Sequence, residues 1–406
     1  MNDLRNGKRE YLLRILSVAT FIIFFQIYMV APLLPGLSVF FHVSEQRTGL
    51  IVPAFLIPYG IATLFYGLLA DRTGTKKIIL VSFFLFALLT AGTALSHSIP
   101  QLILWRALAG IGASGVIPIS LAWIGQTYPY EQRGRPLGFI FGAVAGGGAF
   151  GSFAGAFLES FIGWKMLFFS VGLLAFFVWV VIYLAYQKMG AIPVRRKGLT
   201  IAEVLNGYKA LLINKRGRNA YIYVLLNGIF ISGVYTWLGL YFQRIFFLNG
   251  REIGIALLGY GIPGFLFGPF IGRLADRFGR SRLLPSGLAI GALSSFALLL
   301  PISLTAAKIA VITLSIGFDL TQPLLAGIIT QAGKERTGQA MSVMAFMLFT
   351  GFGSGSYLFG LALRLSLINA LIIFSIFQLI LAIIALPVFR KEKFLLSAKR
   401  KISRVK

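Results

Sequence analysis

The sequence predicts an all-α membrane protein, with twelve transmembrane helices in two pseudo-symmetric six-helix bundles. Three observations lead there. Hydrophobic residues make up 57% of the 406 and charged residues 12%, with mean hydropathy +0.84, more apolar surface than a soluble domain can hide. Apolar segments of ~20 residues or more recur along the whole chain, each able to cross ~30 Å of hydrocarbon at ~1.5 Å rise per residue. The third observation is a repeat. Gly67-Leu-Leu-Ala-Asp-Arg-Thr-Gly-Thr-Lys-Lys77 recurs as Gly272-Arg-Leu-Ala-Asp-Arg-Phe-Gly-Arg-Ser-Arg282, at an offset of 205 residues. Pro58 with Pro263 and Pro118 with Pro323 keep the same offset, so the chain is two copies of one unit.

Taken in order, span 1 covers about 12–36, with Gln26 inside it and Pro32 and Pro35 near its far end. Spans 2 (46–70) and 3 (76–97) flank the first repeated loop. Span 4 (100–127) contains Arg106 and Pro118. Spans 5 (135–158) and 6 (164–187) complete the N-terminal bundle, residues 1–187. Residues 188–217 are polar and basic and form a linker. Within it Ile201, Val204, Leu205, Tyr208, Leu211 and Leu212 recur at helical spacing behind a Thr200/Glu203 capping box, which predicts a short amphipathic helix lying on the membrane face. Spans 7 to 12 follow at about 218–245, 251–273, 281–301, 307–331, 337–363 and 367–390, forming the C-terminal bundle, residues 218–390. Residues 391–406 are a basic tail.

Charge orients the chain and excludes other classes. Of 38 Lys and Arg, 31 fall at the N-terminus and in the alternate loops on one side, six on the other, and one, Arg106, inside a span. The positive-inside rule places the rich side, with both termini, in the cytoplasm. The +26 net charge therefore belongs to a surface facing anionic lipid, and nucleic acid is not an expected partner. There are no cysteines, and the two histidines, His42 and His97, lie in loops. No metal-ligand spacing, paired carboxylates or phosphate loop appears, so neither an enzyme nor a cofactor or metal is expected. The basic start runs straight into a full-length span, which argues against a cleaved signal peptide.

The repeated loop resembles the signature of the major facilitator superfamily, Gly-x-Leu-x-Asp-Arg-x-Gly-Arg-Lys/Arg, found between spans 2 and 3. The first copy has Thr75 where the family has arginine; the second keeps Arg280. The resemblance implies that the loop latches the two halves on the cytoplasmic side through Gly67, Asp71, Arg72, Gly74 and Lys77, and through Gly272, Asp276, Arg277, Gly279 and Arg280. Leu102-x-x-x-Arg106-x-x-x-Gly110 resembles the family's span-4 motif. Gly151-Ser152-Phe-Ala-Gly155-Ala156 stands at the family's span-5 antiporter motif without its proline. Span 5 also carries Gly142, Gly146, Gly147, Gly151 and Gly155, whose bare faces predict close helix packing.

In this family spans 1, 4, 7 and 10 line the central cavity. Those spans hold Gln26, Arg106, Asn227 with Tyr235, and Asp319 with Ser315 and Gln322, the last three on one helical face. A lone carboxylate or guanidinium inside a span is functional by default, and Asp319 and Arg106 are both candidates for proton coupling or for a structural hydrogen bond. Tyr28, Tyr235 and Trp237 are candidates for an apolar pocket. The resemblance is strongest to the twelve-span drug:proton antiporter group. It implies alternating access, with a monomer in the cell membrane exporting small amphipathic compounds against protons, the proton gradient as driving force. A sugar, amino-acid or other metabolite carrier is the alternative, in either direction. A membrane receptor or assembly component without transport is the alternative of another class.

Overall fold

The computed structural model describes residues 2–128, 134–188, 201–264, 266, 279–333, 336–390 and 392, and among them the only regular structure is helix. Nine helices there are long and apolar enough to cross a membrane. One of them, Arg135–Gln187, is 53 residues, more than twice the ~20 that a crossing needs. It reverses at Gly163 (φ 73°, ψ 160°), a conformation open to glycine, and so contains spans 5 and 6. Span 9 is the 18-residue helix Arg280–Ala297, which carries Arg280 and Arg282 at its start. Span 8 begins as Gly250–Leu257, and its second half lies outside the described residues.

Several expected spans are interrupted. Span 1 is helical over Asn2–Tyr28, passes through a 3-10 turn at Ala31–Leu33 and resumes as Leu34–Phe41. Pro32 and Pro35 fall in this joint, where their missing N–H groups cost no helical bond. Span 4 is Ile99–Ala113 followed by Val116–Thr127. Ser82 of span 3 stitches that break, donating to the Gly112 carbonyl and accepting from the Gly115 amide at 3.1 Å. Spans 2, 3 and 7 run unbroken as Ile51–Thr73, Thr75–Gly92 and Lys215–Phe246. Spans 10, 11 and 12 do so as Leu304–Ala332, Thr337–Ala362 and Leu367–Val388.

Glycine decides how closely the helices approach. A Cβ on Gly147, Gly151 or Gly155 would meet the backbone of Phe21, Phe25 and Met29 at 2.5–2.7 Å, so spans 1 and 5 touch main chain to main chain. Gly146 is buried. Nothing lies within 4 Å of the Cβ position of Gly142, because at ~100° per residue it points nearly opposite Gly151, away from the row that meets span 1.

The two halves meet along their length. At the face opposite the chain ends, Arg244 pairs with Glu45 at 2.5 Å and Arg251 donates to Ser160 at 2.9 Å. Trp237 is buried there, its ring against Gly49 and Gly360 and its N–H on the Ser356 carbonyl at 3.1 Å. Midway, the Phe349 ring stands 4.1 Å from that of Tyr59 and 6.2 Å from that of Phe24. At the face bearing the chain ends, the linker helix Ile201–Ile213 buries Val204, Gly207 and Leu211. Its Tyr208 hydroxyl donates to the Leu64 carbonyl of span 2 at 2.8 Å. Thr200 of the expected capping box lies outside the described residues.

Candidate functional site

Span 8 opens the site by coming apart. Its helix stops at Leu257, the chain turns through Leu258–Gly261, and helix resumes at Ile262. Gly261 takes φ 83°, a region that favours glycine, and its Cβ position lies 2.9 Å from the Ala149 amide nitrogen of span 5. Pro263 has no N–H to continue the ladder. The expected continuous helix over 251–273 is therefore corrected to a broken one.

The break frees backbone groups, and span 10 uses them. Gly261 N–H donates to Ser315 Oγ at 3.0 Å, and Ser315 Oγ donates to Asp319 Oδ2 at 3.0 Å. The Gly264 amide, just after helix resumes, donates to the Asp319 carboxylate. A Cβ on Gly264 would stand 2.7–2.8 Å from that carboxylate, so glycine makes the space it occupies. Among the described residues no Lys or Arg pairs with Asp319.

Two tyrosines, Tyr28 and Tyr260, face this carboxylate, and Tyr235 packs against both. Tyr260 stacks within 4.1 Å of Tyr235, and Tyr28 lies 5.4 Å from Tyr235 and 6.0 Å from Tyr260, ring centre to ring centre. Tyr28 and Tyr260 are hydrogen-bonded, and Asp319 lies within electrostatic reach of both. The Tyr235 hydroxyl is bonded to Ser152 of span 5. These rings, with Val52, Leu56 and Phe352, line a cavity of about 30 Å³, room for one or two waters. Asp319 itself is not among the lining residues. It has two donors but no counter-charge among the described residues, and a charge left unpaired inside a span is costly. Binding a proton or a cation removes that cost.

The remaining expected residues lie elsewhere. Arg106 is 1% exposed, held between spans 2 and 4; its Nε donates to the Ile51 carbonyl at 3.2 Å and its guanidinium lies 4.4 Å over the Phe55 ring. Gln26 is fully buried, neither amide atom finding a hydrogen-bond partner. At ~100° per residue it projects nearly opposite Tyr28 on span 1, away from the cavity. Asn227 points into the C-terminal half, donating to Thr321 at 2.8 Å and accepting from Gln378 at 2.9 Å. Gln322 shares the face of Ser315 and Asp319 with both amide atoms unpartnered. Trp237 does not line the cavity but fills the gap between Gly49 and Gly360.

Of the first loop, Gly74 takes φ 92° between two helices, Arg72 and Lys77 are exposed, and open space surrounds the Cβ position of Gly67. Lys76 donates to the Tyr186 carbonyl at 3.2 Å within its own half. The Asp71 side chain, Gly272, Asp276 and Arg277 lie outside what is described. Gly279 takes φ 81°, and the Arg280 guanidinium rests against Gly327 of span 10. The residues missed from sequence are Tyr260, Ser152 and Gly264. The density of breakers in Gly259-Tyr-Gly-Ile-Pro-Gly264 is the signal that could have found two of them. Among the described residues no group of three His, Cys, Asp or Glu side chains could hold a metal.

Comparison with known proteins agrees with this architecture. The family model for the Major Facilitator Superfamily matches residues 16–356 and, in a second alignment, 246–404. Multidrug resistance protein 2 of Bacillus subtilis (strain 168) is 24% identical over 323 residues, 78% of this chain and 80% of that protein. A probable L-galactonate transporter of Escherichia coli (strain K12) is 28% identical over 268 residues, 61% of this chain and 56% of that one. Among solved structures, an inward-facing, unoccupied bacterial homolog of the human lysosomal transporter Spinster superposes with TM-score 0.75 at 18% identity, covering 95% of this chain and 98% of that one. With a family match across most of its length and the same fold, the chain belongs to the Major Facilitator Superfamily, and it is a multi-pass membrane transporter.

Proposed function

We propose that this transporter exports small amphipathic compounds in exchange for protons, by alternating access. One observation carries the reading: Asp319 stands at a broken helix, with hydroxyl and amide donors, no cationic partner among the described residues, and an aromatic wall. Such a carboxylate binds a proton and a substrate in competition, which is the requirement of exchange. The apolar lining of the cavity favours neutral or weakly cationic amphipaths over multiply charged solutes. The similarity to a multidrug resistance protein supports this reading; the similarity to a probable L-galactonate transporter favours the second one, a metabolite carrier. The basic face bearing the chain ends lies in the cytoplasm, by the charge asymmetry of the loops, and the protein works as a monomer in the cell membrane.

The test is substrate-induced proton movement in proteoliposomes, with a panel of lipophilic cations, neutral amphipaths and sugars. Proton movement with the amphipaths supports exchange. Movement with sugars alone would transfer the assignment to the metabolite carrier, and binding with no flux of any compound would leave a receptor.

A further inference from the structure

We propose that Ser152 of span 5 and Tyr235 of span 7 form a catch between the two halves, and that this pair sets how often the cavity opens. The inference rests on the proposed alternating access, in which the halves part to admit a substrate. Ser152 occupies the place of the proline in the family's span-5 motif, so its hydroxyl is this chain's own feature. It is fully buried and donates to the Gly148 carbonyl one turn back at 2.9 Å. A serine hydroxyl has one hydrogen. With that hydrogen on a carbonyl, the bond between Ser152 and Tyr235 is donated by the tyrosine.

The seam around the pair is otherwise bare. The Cβ positions of Gly261 and Gly254 on span 8 stand 2.9 Å from the Ala149 amide nitrogen and 3.0 Å from the Phe153 carbonyl oxygen of span 5. Tyr235 is itself buried, and among the described residues its hydroxyl bonds to Ser152 alone. With the halves together span 5 satisfies that hydroxyl; with the halves apart water does. The two partners are not equivalent. Without Tyr235, Ser152 keeps Gly148; without Ser152, the tyrosine hydroxyl is left buried and unpaired, a cost that falls on the closed form. The Tyr235 ring packs against Tyr260 and Tyr28, which face Asp319. Releasing the catch therefore also frees the wall of the Asp319 site.

The chain has no cysteine, so a thiol placed in the cavity wall by Ser232→Cys reports opening without background. The experiment is the rate at which a small charged methanethiosulfonate labels that thiol in the full-length protein, purified in detergent. Adding Ser152→Ala is expected to raise the rate about tenfold, the scale of one buried hydroxyl left unpaired. Adding Tyr235→Phe to that variant removes the unpaired hydroxyl. The rate should then return to within about threefold of the parent, as it should for Tyr235→Phe alone. A rate that Ser152→Ala leaves unchanged would overturn the catch. So would a rise that Tyr235→Phe does not reverse, since that is the mark of a packing defect. Absence of labelling in every variant would overturn alternating access, and the catch with it. The assay uses neither substrate nor protons, so a failure of proton exchange is read separately.

Discussion

Arg106 in the first half and Asp319 in the second are both charges inside spans, but their surroundings differ in kind. Arg106 is sealed: 1% exposed, with one bond to a main-chain carbonyl of span 2 and one aromatic face beneath it. Asp319 is partly exposed, held by a hydroxyl and an amide beside a helix break, and faces tyrosines contributed by spans 1 and 8. The broken helix is the difference. An unbroken span satisfies its own backbone and leaves a buried charge to find fixed partners, as span 2 does for Arg106. A broken one offers amides to a group whose charge can come and go. Burial of a charge is thus a poor guide to a site, and irregular backbone beside it is a better one.

The contrast can be broken by substitution, starting with the largest effect. Asp319→Asn keeps shape and the Ser315 contact but cannot exchange a proton; proteoliposome assays should show substrate-driven proton flux falling roughly 10²-fold or more, the scale of a group that transfers protons. Gly264→Val forces a side chain onto the carboxylate and should lower flux about tenfold, since overpacking of this kind costs ~1–3 kcal/mol. Arg106→Met should be far milder. An apolar residue of similar volume in place of a buried, unpaired cation is often neutral or stabilising, so flux should change less than about threefold and thermal stability should hold. Loss of flux in that variant would reverse the comparison. The smallest effect is expected of Glu45→Gln, which removes a half-exposed ion pair between the halves, worth ~0.2 kcal/mol at the low end for exposed pairs; uptake rates should change less than about twofold.

Much of this was legible in the residues. The duplication, the spans and the linker helix follow from apolar periodicity and from the loops around Asp71 and Asp276, because membrane crossing imposes length and polarity directly on sequence. Ser315 beneath Asp319 was legible too, four residues apart on one helix. The site beyond it was not. Asn227 sits on a cavity-lining span but turns inward to Thr321 and Gln378, since rotation of a mostly apolar helix is set by packing rather than by a polar stripe. Gln26 is turned away by the same rule, with its neighbours Phe25 and Met29 pinned against Gly151 and Gly155. The helix break needed Gly261 to adopt φ 83° against Ala149, a contact between halves that no local pattern encodes. Pro263 and three nearby glycines, Gly259, Gly261 and Gly264, marked the place without stating its geometry.

The central claim is that substrate and proton compete for Asp319, and proton release on substrate binding tests it most directly. Purified protein in weakly buffered detergent is titrated with a bound amphipath while pH is followed, wild type beside Asp319→Asn and Arg106→Met. The account predicts proton release from the wild type and from Arg106→Met, and binding without release from Asp319→Asn. Release that persists in Asp319→Asn and disappears in Arg106→Met would contradict it.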